Sequence, residues 1–274
     1  MESVVRRRHL FEFEDLGWFP PTLRDMTTGF LQEALVLRHR FYAPATPLLA
    51  GLLRETGQRR IVDLCSGASG PWVAMKGEVE DLVGPVELLF TDKFPNRAAL
   101  NRACAEIGDG RTTMSEQPVD ATCVPADLSG VRTIFTAFHH LPPGVAAATL
   151  RDAFDHRHAI CVVEHSERRW PSILASLLSP PLVAAHALRG RPRSLLRAFL
   201  TFVVPVLPLV ITWDGIVSAL RTYDVRELAA MVDPLQAGDY GWDIGRIPGA
   251  GGAPTLTYLS GRPVAGVSQA QAAE

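Results

Sequence analysis

Apolar residues in this chain fall into short continuous runs, a pattern that predicts a sheet buried on both faces. Ile61 to Cys65 is one such run, closed by Gly and Ser, and Val86 to Thr91, Val131 to Phe138 and His158 to Val163 repeat the form. Strands that are apolar throughout belong to parallel sheets covered by helices on both sides. Helical stretches lie between them: Trp72 to Val83, stopped by Gly84-Pro85; Ala98 to Ile107, stopped by Gly108; and Val145 to Phe154.

Residues 1–58 read as mostly helical. Phe30, Leu31, Ala34, Leu35 and Leu37 form an apolar face, and a helix from Pro47 to Glu55 ends before Gly57. From Arg168 to Tyr223 the strand–helix rhythm breaks into a segment rich in Pro, Arg and large apolar groups, read as an insertion. The rhythm resumes with a helix over Val225 to Val232 and strands over Tyr240 to Ile247 and Thr255 to Leu259. The Gly/Pro loop Pro248 to Pro254 joins these strands as an antiparallel hairpin at a sheet edge. The organisation is therefore a helical cap (1–58), an α/β core (59–167), an insertion or substrate lid (168–223), a helix and hairpin that complete the core (224–262), and a flexible tail (263–274).

Composition narrows the function classes. Among 274 residues, 47% are hydrophobic and 20% charged, and the net charge of −2 exerts no global pull on nucleic acid or an anionic membrane. Lys76 and Lys93 are the only lysines, which reads as codon bias in a GC-rich bacterial genome. Cys65, Cys104, Cys123 and Cys161 have no paired short spacing, so a reducing cytoplasm is expected rather than a disulfide framework or a zinc site. The basic cluster Arg6 to Arg8 runs into Glu12, Glu14 and Asp15 with no signal-peptide core. The most apolar run, Ala198 to Trp213, contains Pro205 and Pro208 and is shorter than the ~20 residues of a spanning helix. It reads as a buried or interfacial lid. The weaker alternative is a membrane-associated enzyme acting on a lipid or quinone.

The first chemical signal is "IVDLCSGASG": an acid at a strand end, small residues, then a helix. Such a loop lets a ligand approach the backbone and aims helix N–H groups at it, and ligands of open α/β sheets bind at the carboxyl ends of the strands. No Gly-Lys-Ser/Thr follows, so it is not a phosphate-binding P-loop. Cys65 and Ser69 stand where a dinucleotide fingerprint needs glycine. Asp92 ends the second strand, where a carboxylate can accept both ribose hydroxyls or simply close the turn. Asp120 lies in "PVDATCVP", and "TIFTAFHHLPP" ends the fourth strand.

In this order the four segments, spread over Ile61 to His165, resemble the class I, Rossmann-like S-adenosylmethionine (SAM)-dependent methyltransferases, in particular the small-molecule type with His-His-Leu after the fourth strand. The resemblance implies an α/β, doubly wound, seven-stranded sheet, mostly parallel with an antiparallel last strand. It also implies SAM as cofactor and S-adenosylhomocysteine as product. It places Asp63, Cys65, Gly67, Ser69, Gly70 and Phe138 along the cofactor, Asp92 on the ribose, Lys93 and Phe94 along the adenine, Asp120 on the adenine amino group and Ala121 near the ring. Cys65 and Ser69 depart from the family's glycines but are small. The Asn/Asp-Pro-Pro-aromatic motif of nucleic-acid amino-methylases is absent, which disfavours a nucleic-acid substrate.

A sulfonium methyl is already activated, so the protein mainly positions the nucleophile, and an O- or N-nucleophile also needs a base. His139 and His140 are the candidates, with His165 bordering the same cleft. Because side chains alternate at a strand end, one of the pair is expected to face the site, His139 ahead of His140. The spacing of the three histidines matches no recognised ligand set, and no metal is expected. Trp18, Arg24, Trp213, Asp214, Arg221 and Tyr223 are candidates for substrate binding, or for packing and ion pairs that hold the cap and insertion. The function expected is methyl transfer to a small, partly apolar molecule of secondary metabolism. A SAM-consuming cyclisation or elimination, and a non-catalytic SAM-binding protein, are the alternatives.

Overall fold

The computed structural model describes residues 5–32, 41–189, 194–249 and 254–264. Seven strands form one sheet: β1 (Arg60–Asp63), β2 (Glu87–Phe90), β3 (Thr112–Met114), β4 (Val131–Phe135), β5 (Ile160–Glu164), β6 (Tyr240–Ile247) and β7 (Leu256–Pro263), in the order β3-β2-β1-β4-β5-β7-β6. β1 to β5 pair in parallel, and β7 runs antiparallel to both β5 and β6. This is the doubly wound sheet with an antiparallel last strand that the sequence predicts. The short edge strand β3 lacks the apolar run that marks the others.

Two apolar layers cover the sheet. Ile61, Leu88 and Phe90 pack with Leu49 and Leu53 of α2 (Thr46–Thr56) and Trp72, Met75 and Val79 of α3 (Trp72–Val83). Val62, Ile134, Ile160 and Val162 pack on the other face with Ala146 and Leu150 of α5 (Pro143–Asp155) and Leu228 and Val232 of α10 (Val225–Val232). Neighbours Ile61 and Val62 go to opposite faces, as the pleat requires, so an unbroken apolar run is needed. Helix ends follow local chemistry. Asn96 caps α4 (Arg97–Ile107) by accepting from Ala99 N–H, and Asp224 and Glu227 form a capping box on α10.

The insertion is helical: α6 (Trp170–Leu177), α7 (Pro180–Arg189), α8 (Leu195–Phe202) and α9 (Val206–Arg221). Pro208 sits in the first turn of α9, where its missing N–H would have no intrahelical partner anyway. Val183, Leu207 and Ile211 pack with Phe30 of α1 (Pro21–Phe30) into a third cluster. Leu178, Leu182, Leu195, Val203 and Leu209 remain exposed. No single helix among the described residues is long and apolar enough to cross a membrane.

The N-terminal segment differs from the helical expectation. Ahead of α1 it is an extended strap with a 3-10 turn at Phe13–Asp15 and a second turn at Gly17-Trp18, and Ala34, Leu35 and Leu37 lie outside the described residues. The strap is bound to α9. Arg8 N–H donates to Leu220 O (3.0 Å), Arg221 Nε to Leu10 O (2.6 Å), Trp213 Nε1 to Phe11 O (3.0 Å) and Phe13 N–H to Asp214 Oδ1 (2.8 Å). Partners more than 200 residues away satisfy backbone groups that a helix would have paired locally.

Candidate cofactor and active site

Strand order reverses between β1 and β4, and the cofactor candidates Asp63, Cys65, Gly67 and Asp92 lie at the carboxyl ends of β1 and its neighbour β2. Asp63 is buried at the end of β1 and accepts a 2.7 Å bond from Thr133 Oγ1. Burial raises its carboxyl to about 6 against the hydrogen bond that favours the anion.

The loop that follows is left-handed at four places. Gly67 and Gly70 have φ of 52° and 49°, and Cys65 and Ser69 have φ of 54° and 87°. The two positions that depart from the glycine pattern therefore keep the conformation glycine favours, at a cost of about 1 kcal/mol each. Burial pushes the Cys65 thiol far up, so it is a packing group rather than a nucleophile. Gln32 Nε2 donates to Gly70 O (2.8 Å) and lies 3.3 Å from Ser69 Oγ, tying the N-terminal segment to the loop. Sequence reasoning missed Gln32, because a lone glutamine carries no local signal.

Asp92 follows β2. Its Oδ2 accepts from Gly67 N–H (2.9 Å) and its Oδ1 from Phe94 N–H (2.7 Å), so one carboxylate joins the first and second loops. The Phe94 ring is 83% exposed, an open face beside that carboxylate. Lys93 Nζ meets Asp120 Oδ2 at 2.7 Å, while Thr122 N–H and Oγ1 donate to Asp120 Oδ1. The Lys93 and Thr122 bonds hold the Asp120 carboxyl down at about 2. Ala121 and Phe138 are buried in the core beneath.

β4 stops at Phe135, three residues earlier than expected, because Thr136 turns the chain at φ 52°. A β-branched residue there is strained, and such strain gathers at functional sites. Phe138–His140 then forms a 3-10 turn, so strand alternation no longer applies. The His139 and His140 rings lie side by side, with centroids 4.3 Å apart.

His139 is buried, with Nδ1 2.8 Å from Glu164 Oε2 and its N–H donating to Glu164 Oε1 (3.2 Å). Burial would raise the Glu164 carboxyl, but the His139 contact lowers it. His140 Nδ1 lies 2.9 Å from Asp15 Oδ1. Burial works to lower the His140 pKa, but the Glu12 and Asp15 carboxylates outweigh it and raise it to about 9. Glu12, buried on the strap, faces both imidazoles.

His165 is held apart from this pair. Its Nδ1 lies 2.8 Å from Tyr42 Oη and 3.2 Å from Thr136 Oγ1, and burial lowers it to about 4. Arg221 is buried and contacts Asp15 Oδ2 (2.5 Å) and Glu12 Oε1 (3.2 Å). Burial raises Asp214 to about 6. Arg24 donates to Glu14 O (3.1 Å) and Leu16 O (2.8 Å), and Tyr223 Oη donates to Leu141 O (2.6 Å). Arg24, Trp213, Asp214, Arg221 and Tyr223 thus all hold the strap or the 138–141 turn in place. Glu12 and Asp15, central to the cluster, were not among the sequence candidates, since nothing local separates them from other surface acids. Trp18 and Trp213 line an apolar cleft of about 600 Å³ with Phe11, Phe13, Leu23 and Val210.

No family model and no curated protein matches the chain in sequence. Solved structures do match in shape. The plantazolicin methyltransferase BpumL in complex with SAH aligns with a TM-score of 0.57 at 11% identity, covering 92% of this chain and 94% of that one. Its complex with a triazolic desmethylPZN analog and SAH aligns at 0.56 with 12% identity, covering 89% and 92%. Strand order, strand directions and this near full-length likeness give the chain the Rossmann-like fold of the methyltransferases.

Proposed function

We propose that this chain is a SAM-dependent methyltransferase acting on a small, partly apolar molecule of secondary metabolism. The observation that carries the reading is the joined pair of loops at the switch point. A left-handed loop follows β1, and its Gly67 N–H is bound by the Asp92 carboxylate from β2. That arrangement supports a nucleoside site, because open α/β sheets take such ligands at the carboxyl ends of the strands, where this loop and the Asp92 carboxylate lie.

In this reading Asp92 takes the ribose hydroxyls and Phe94 covers the adenine. Asp120 accepts from the adenine amino group after exchanging its contact with Lys93. Asp63 contributes negative charge beneath the cationic methionine half. SAM supplies an activated methyl group, so the protein contributes placement and proton removal. His139 and His140 stand at the β4 end as the groups for the proton. The cleft lined by Trp18 and Trp213 suits an acceptor with an apolar part.

Calorimetry with SAM and S-adenosylhomocysteine tests the reading, and absence of binding by both would refute it. Asp92→Ala is expected to weaken SAM binding by about 1–3 kcal/mol through lost charged hydrogen bonds. Unchanged affinity would move the ribose site elsewhere.

A further inference from the structure

We propose that Glu12, His139 and His140 form a binding site for one divalent transition-metal ion of the zinc class. The three side chains each offer a ligand atom, and these atoms lie within 4.8 Å of one another. His139 Nε2 is 3.9 Å from Glu12 Oε1, and His140 Nε2 is 3.6 Å from Glu12 Oε2. Donors bound tetrahedrally at about 2.0–2.1 Å stand roughly 3.4 Å apart, so the two Glu12 contacts would shorten by a few tenths of an ångström and the widest pair of the set by up to about 1.4 Å on binding.

The second observation is independent of that proximity. His139 is 1% exposed, and its Nε2 has no hydrogen-bond partner among the described residues while it points at Glu12. A buried ring nitrogen left without a partner costs free energy unless something binds it.

The surroundings have the form of a metal site's outer shell. Each histidine has its Nδ1 on a carboxylate, His139 on Glu164 at 2.8 Å and His140 on Asp15 at 2.9 Å. Such contacts orient the ring and turn the Nε2 lone pair to an ion. Ser218 Oγ donates to Glu12 Oε1 (3.2 Å) and helps fix that carboxylate. Arg221 is the competing cation: its Nε is anchored on Leu10 O, and its Nη1 lies 2.5 Å from Asp15 Oδ2, 3.2 Å from Glu12 Oε1 and 3.4 Å from His140 Nδ1, while His140 Nε2 faces Glu12 Oε2.

Charge balance points the same way. With both imidazoles neutral, as metal ligands must be, Glu12, Asp15 and Glu164 contact the pair against the guanidinium of Arg221, and a divalent ion that displaces the proton from His140 would neutralise the remaining negative charge. Imidazole donors favour zinc-like ions over Mg²⁺ or Ca²⁺. Access is from the His140 side, where that side chain is 28% exposed. Sequence spacing points to no metal site; the fold holds His165 on Tyr42 and Thr136 and brings Glu12 to the other two histidines.

Three protein ligands leave a coordination position open. Resting on the methyltransferase reading, that position would take an acidic oxygen of the acceptor and ease its deprotonation, with His139 and His140 then serving as ligands in place of taking the proton themselves. The metal site itself does not depend on that reading.

The test uses tag-free full-length protein stripped with a chelator. Zn²⁺ is titrated against a chromophoric chelator, and the d–d spectrum of the Co²⁺ form is recorded without SAM. The expected result is one saturable equivalent, with four- or five-coordinate Co²⁺ bands and no thiolate charge transfer. Affinity should fall at least about tenfold in Glu12→Gln and His140→Ala, and about tenfold in Asp15→Asn, whose effect is through His140. No saturable binding, thiolate bands, or unchanged affinity in those variants would overturn the proposal. Should the ligand variants fail to fold, the wild-type spectrum and Asp15→Asn still decide it. SAM calorimetry on the same stripped protein is a separate readout, so loss of one reading leaves the other standing.

Discussion

Asp63 offers a prediction in which sign and size both follow from the structure. It is 2% exposed, and burial lifts its carboxyl from the ordinary 3.8 to about 6. Below about pH 4 the group is protonated in the folded and unfolded chains alike and contributes nothing. Between those values the unfolded chain ionises first, so the folded state binds more protons and stability falls as pH rises. Above about pH 6 the full penalty applies, on the order of 3 kcal/mol at about 1.4 kcal/mol per pH unit. Asp63→Asn keeps the shape and can still accept from Thr133 Oγ1. The new amide N–H groups need acceptors, which offsets about 1 kcal/mol of the gain. The variant is therefore expected to be more stable than wild type by about 1–2 kcal/mol near pH 8 and no more stable near pH 4, read from urea midpoints at equal m. A difference that stays flat across that range, or grows towards acid, would refute the argument. A second assay follows from the proposed cofactor. A cationic ligand favours the ionised carboxyl, so SAM binding near pH 6 should release a proton, visible as a dependence of the binding enthalpy on the buffer.

Further expectations concern the loop and the strap. Cys65→Gly should be more stable than Cys65→Ala by about 0.5–1 kcal/mol in urea unfolding, the reverse of an ordinary loop position, because φ is positive there; the opposite ranking would remove the strain argument. Gln32→Ala should cost about 1 kcal/mol in SAM affinity through loss of the bond to Gly70 O, measured by calorimetry. Arg221→Met should destabilise by about 3–5 kcal/mol, because it leaves the buried Glu12 carboxylate without its ion pair. The same change should expose residues 7–15 to limited proteolysis, and a variant as resistant as wild type would show that the strap does not depend on that guanidinium.

The chain shows local physics clearly. β1, β2, β4 and β5 are runs of apolar residues because both faces of a parallel sheet are buried, and that pattern is visible one residue at a time. The loop from Asp63 to Gly70 is also local: an acid, small residues and a helix start within one strand–turn–helix unit. These features by themselves determined the fold class and where to look for the cofactor.

Tertiary structure decided the rest. β3 is three residues long and has no pattern of its own; it is a strand because β2 offers it an edge. Thr136 ends β4 with a left-handed turn that no propensity marks, and so both histidines fall on one side. Glu12 and Asp15 reach His139, His140 and Arg221 across 125 residues or more of chain. Their meaning depends on burial and charge that exist only once the strap lies on α9. Hydrophobic periodicity records which face is buried, but it carries no information about which distant polar group will share that burial.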